Sequence, residues 1–154
     1  MKAGLPVAVV ISGRGSNMEA IARAAQHADS GYQVVRVIAD RPEAGGLARA
    51  AALGVPTAVV PVKGFADRGA FEQALLAEIA ASGAQLVALA GFMRILSPGF
   101  VEKLDGRLLN IHPSLLPAHK GLDTHARVLA ARDTHHGASV HFVTPELDGG
   151  PVIM

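Results

Sequence analysis

Asn110 and His112 are the residues best placed by type and spacing to do chemistry. They stand in Asn110-Ile111-His112-Pro113-Ser114-Leu115-Leu116-Pro117, entered from Gly106-Arg107-Leu108-Leu109. Alternate residues of a strand point to one face, so an amide and an imidazole two positions apart project together. Pro113 has no backbone N–H and ends the ladder, which puts the pair at a strand terminus. An amide can donate to a developing oxyanion, and an imidazole can move a proton near neutral pH. That combination suits acyl-type transfer. Asp148, in Glu146-Leu147-Asp148-Gly149-Gly150, is a candidate partner, because a neighbouring carboxylate favours the imidazolium. The same Asp-Gly-Gly pattern also makes an ordinary turn.

A second locus is Gly13-Arg14-Gly15-Ser16-Asn17, between an apolar run and a helical one. Glycines let a backbone approach a ligand, and the free N–H groups of a helix start favour an anion such as phosphate. Ser16 with Glu19 three residues on is also the pattern of a capping box, a purely structural use of the same residues. A dinucleotide fingerprint fails, since Met18 stands where its third glycine belongs. Asp40 ends a strand and can reach a ribose. Seven histidines raise the question of a metal, but no HExxH arrangement or cysteine accompanies them, so none is expected.

The elements that must position these groups alternate along the chain. Strands are predicted over 6–12, 32–39, 57–62, 86–90, 108–112 and 138–144. Helices are predicted over 16–28, 44–53, 67–82, 98–104 and 124–132, with Gly54 and Gly83 as stops. Runs that are apolar throughout, each followed by a helix, predict an α/β fold: a Rossmann-like three-layer domain with a mostly parallel sheet and helices on both faces. Ligands of such sheets bind beyond the carboxyl ends of the strands. Gly13–Asn17, Gly91–Arg94 and Asn110–His112 all fall at such ends.

Composition agrees. In 154 residues, 50% hydrophobic and 18% charged, one domain can bury a full core, and with 4% aromatics that core is Ala, Val, Leu and Ile. A net charge of +1 gives no reason to expect nucleic acid. The chain lacks cysteine, so disulfides and thiolate metal sites are excluded. The apolar stretch 5–12 is too short, and lacks the cleavage pattern, for a signal peptide. No run of about 18 apolar residues offers a membrane span. A cytoplasmic protein is the expectation.

Together Ile11–Asn17 (ISGRGSN), Ala90–Pro98 (AGFMRILSP), Gly106–Pro117 (GRLLNIHPSLLP) and Gly137–Ile153 (GASVHFVTPELDGGPVI) resemble the phosphoribosylglycinamide formyltransferases, the glycinamide ribonucleotide transformylases of the folate-dependent formyltransferase superfamily. The resemblance runs from about residue 7 to the last residue. It implies transfer of the formyl group of 10-formyltetrahydrofolate to the amine of glycinamide ribonucleotide in purine synthesis, without a metal. It implies Asn110, His112 and Asp148 as the catalytic trio and Gly15, Ser16 and Asn17 as phosphoribose contacts. Around the folate it implies Arg68, Met93, Arg94, Ile95, Leu96, Asn110, Thr144 and Asp148. The family domain continues beyond Met154, so residues 1–154 are expected to be one formyltransferase domain cut short at its C-terminus. Small molecules are the implied partners, in a monomer or homodimer. The alternatives are a formyltetrahydrofolate hydrolase, which usually carries an additional N-terminal domain, and a formyl transferase for aminoacyl-tRNA, which wants a basic surface. A non-catalytic phosphate- or nucleotide-binding module is a third. The segment 119–133, with its glycine and polar residues, is expected to be a mobile flap.

Overall fold

The computed structural model describes residues 4–112, 116, 118–121, 124–132, 138–145 and 149–153, without the side chain of His112. The chain forms two compact units, Met1–Arg94 and Ile95–Met154.

The first unit alternates strand and helix: β1 Leu5–Ile11, α1 Ser16–Ala25, β2 Tyr32–Ala39, α2 Gly46–Ala52, β3 Thr57–Val59, α3 Arg68–Ser82 and β4 Leu86–Leu89. Its strands are all parallel, in the order β3-β2-β1-β4. β1 lies between two neighbours, and Val7–Ile11 are all buried, which is why they read as an unbroken apolar run. Each Val or Ile side chain of the run contributes about 1.5–3 kcal/mol by leaving water. The helices α1 and α2 pack on each other, and α3 lies against β2.

Local chemistry sets the boundaries. Asp67 caps α3, its Oδ1 accepting from the Ala70 N–H at 2.8 Å, and Gly83 ends it with φ 76°. β3 stops earlier than the predicted residue 62. The Val60 N–H still donates to Ala39 O at 2.9 Å, but Pro61 has no N–H to give, and residues 62–64 turn into a single 3-10 turn. α1 likewise ends at Ala25 and not at residue 28, because the Gln26 and His27 N–H groups turn back to Arg23 O and Ala24 O in tight turns.

The second unit holds α4 Pro98–Lys103, β5 Leu108–His112, α5 Thr124–Ala131 and β6 Ser139–Phe142. Ser97 caps α4 and Pro98 occupies its first turn. β5 and β6 are antiparallel, with Asn110 opposite His141 and His112 opposite Ser139. Residues 151–153 extend this pairing along β6: the Phe142 N–H donates to Pro151 O and the Ile153 N–H to Val140 O. Parallel pairs therefore dominate the α/β architecture, as the sequence predicted, and β6 is the antiparallel member.

Among the described residues no helix is long and apolar enough to cross a membrane.

Candidate active site

The glycine loop leaves the carboxyl end of β1. Gly15 takes left-handed backbone, φ 74° and ψ 30°, where L side chains are strained. A Cβ there would also stand 2.8 Å from Gly46 Cα and 2.9 Å from the Met18 methyl. Gly46, opening α2, braces the loop by donating its N–H to Gly13 O at 3.0 Å. Gly13, Arg14, Ser16 and Asn17 are exposed around the buried Gly15.

The cap of α1 differs from the expected capping box. Gly15 is the N-cap residue, Ser16 the first helical residue, and among the described residues no side-chain hydrogen bond closes the end. Glu19 is engaged elsewhere. Its carboxylate accepts from Arg49 Nη1 at 2.9 Å and Arg23 Nε at 3.2 Å, and these bonds, that from Arg49 first, hold its pKa below the ordinary value. A helix start that no side chain caps keeps its partial positive charge for a ligand. Gly13–Asn17 with Ala90 and Gly91 enclose a cleft of about 130 Å³. One water needs only about 10–15 Å³ measured in this way, so the cleft has room for a phosphate-sized group. Arg14 adds a full positive charge to the lining. Sequence reasoning passed over Arg14, although a cation inside a glycine loop is itself a signal for an anion.

Beyond β4, Gly91–Arg94 belongs to no strand or helix and is shaped by its neighbours. The Ser12 N–H donates to Gly91 O at 3.2 Å, and the Met93 N–H donates to Ser12 Oγ at 3.0 Å. Arg94 Nε donates to Asp40 Oδ2 at 2.8 Å. This corrects the ribose role considered for Asp40: its side chain is 1% exposed and committed to Arg94. Met93 is 60% and Ile95 68% exposed, high values for large apolar side chains. Leu96 is half-buried, Arg68 is exposed at the first position of α3, and Thr144 is half-buried just past β6.

In the second unit Asn110 meets a partner absent from the expected trio. Its Nδ2 lies 3.2 Å from Nε2 of the buried His141, whose Nδ1 lies 3.0 Å from Phe142 O. A carbonyl only accepts, so Nδ1 carries the hydrogen; an amide nitrogen only donates, so Nε2 accepts. His141 thus fixes the amide with its nitrogen towards the ring. The alternating run 138–144 marked His141 as strand-borne, but only the antiparallel register puts it opposite Asn110. The side chain of His112 lies outside the described residues, as do Asp148 and the histidine-rich 133–137.

The formyl transferase family model matches residues 5–154. Phosphoribosylglycinamide formyltransferase of Escherichia coli is 49% identical over 148 residues, 96% of this chain and 70% of that protein. The Haemophilus influenzae protein of the same name is 39% identical with the same coverage. Among solved structures, phosphoribosylglycinamide formyltransferase from Brucella melitensis superposes with a TM-score of 0.93 at 46% identity, covering 99% of this chain and 78% of that one. Glycinamide ribonucleotide transformylase 1 from Symbiobacterium toebii gives 0.94 at 38% identity, covering 98% and 71%.

Proposed function

The chain belongs to the formyl transferase family, and from that premise we propose that it moves the formyl group of 10-formyltetrahydrofolate onto the amine of glycinamide ribonucleotide, a step of purine biosynthesis. One observation carries the choice of acceptor: the uncapped, Arg14-bearing cleft of Gly13–Asn17. A phosphorylated amine needs such an anion site, whereas a hydrolase that uses water does not.

In this reading Gly15, Ser16 and Asn17 hold the phosphoribose, with the α1 N-terminus and Arg14 balancing the phosphate charge. The apolar Met93, Ile95 and Leu96 are assigned to the folate ring system, and Arg68, Arg94, Thr144 and Asp148 are assigned as its polar contacts. The acceptor nitrogen forms a bond to the formyl carbon, and the bond from that carbon to the folate nitrogen breaks. Asn110 spends one amide hydrogen on His141 and gives the second to the developing oxyanion. His112, held as imidazolium by Asp148, stabilises the same oxyanion and relays the proton from the attacking amine to the departing nitrogen. These groups supply the required proton and N–H donors, so the reading invokes no metal. It carries with it a cytoplasmic enzyme working on free small molecules.

His112→Ala tests the assignment. Turnover should fall by about 10²–10⁴-fold, the usual weight of a general acid–base group, while tetrahydrofolate binding is retained. Near-normal turnover in that variant contradicts it.

A further inference from the structure

Asp40 carries a buried charge that the proposed reaction does not use. Its side chain is 1% exposed; Oδ2 accepts from Arg94, Arg41 Nε lies 3.6 Å from Oδ1, and among the described residues none donates a hydrogen bond to Oδ1. A carboxylate at that depth is costly unless its charge is matched. The match comes from a loop outside the regular structure. Asp40 itself cannot shift, since its N–H donates to Ile11 O at 3.2 Å and its carbonyl accepts from the Val62 N–H at 3.1 Å. Arg94, on a loop without regular structure, is therefore the partner being placed. The planar guanidinium, bonded through Nε, fixes a direction as well as a distance, which an ammonium would not.

We propose that Asp40 is a positioning residue for the formyl donor. Through Arg94 it holds the loop after β4 in the conformation that leaves Met93 exposed to the donor's rings. The inference rests on the reading of that loop given under the proposed function. It is confined to the donor because Gly91, the part of the loop that lines the phosphate cleft, is tied separately through its carbonyl to the Ser12 N–H.

The test measures KM for both substrates, kcat, and the dissociation constant of tetrahydrofolate for the unaltered protein, Asp40→Asn, Arg94→Gln and the double variant. Asp40→Asn should raise the donor KM and the tetrahydrofolate dissociation constant about tenfold, the scale of one lost charge-assisted hydrogen bond. The ribonucleotide KM and kcat should stay within about twofold, and the Asp40 change should add little once Arg94 is Gln, as coupled sites behave. A lower Tm with unchanged donor affinity overturns the proposal, as do equal rises in both KM values or effects that simply add. Should Asp40→Asn not fold, Arg94→Gln and Arg94→Lys decide from the more exposed side. Gln should lose donor affinity and Lys recover part of it, and equal affinity in all three proteins overturns the proposal. An unaltered protein that binds tetrahydrofolate but transfers no formyl group would defeat the functional reading alone, leaving the binding comparison to decide the role of Asp40.

Discussion

The glycine loop and the Asn110–His141 pair are built on opposite terms. The loop works through its backbone: a left-handed Gly15, a brace from Gly46, and a helix start that no side chain of the described residues closes. Nearly everything it needs lies within five consecutive residues. The pair works through side chains 31 residues apart, brought together by strand register alone. The loop should therefore fail when a Cβ is added at Gly15. The pair should tolerate no loss of its polar atoms, whereas its backbone needs nothing special.

The largest effect expected at the pair follows from Asn110→Ala. Loss of an oxyanion donor costs about 10²–10³-fold in kcat, and here the ribonucleotide KM should not move. Steady-state kinetics with the acceptor varied would show it. A rise in KM with normal kcat would mean that Asn110 only binds.

Gly15→Ala breaks the other side of the comparison. Left-handed backbone at a non-glycine residue costs about 1–3 kcal/mol, and the clash with Gly46 Cα adds to it. The variant should melt lower and show a raised ribonucleotide KM, while the donor KM stays near its original value. Equal damage to both substrates would show that the loop is a general support and not an anion site.

The smallest effect belongs to Glu19, which ties α1 to Arg49 on α2 across the base of the loop. Its folded pKa lies below the ordinary carboxylate value, so its stabilisation is present above that ordinary value and is lost as the pH falls through the lowered folded one. Surface pairs of this kind contribute little, because solvent and salt screen them. Glu19→Gln should flatten the acid limb of a Tm-against-pH curve slightly and leave kinetics at neutral pH unchanged. An unaltered acid limb would show that the brace is idle.

What the sequence revealed follows the same division. β2 and β5 fall at the predicted residues because apolar runs and Pro113 mark them locally. The glycine loop was legible because its parts are adjacent. Its cap is Gly15 and not Ser16, the residue that the capping-box alternative offers, since a serine pattern does not show which residue takes the left-handed turn. Asp40 looked like a ribose contact because Arg94, its partner, is 54 residues away. His141 looked like an ordinary strand histidine, because periodicity places a side chain on a face without naming what it faces. Contacts made by register or by long loops depend on tertiary packing, which single-sequence patterns do not encode.

The most direct measurement follows tetrahydrofolate release from 10-formyltetrahydrofolate, with and without glycinamide ribonucleotide. The account predicts release only when the ribonucleotide is present, one molecule for each formylated product. Release without the ribonucleotide, or none with it, would contradict the account.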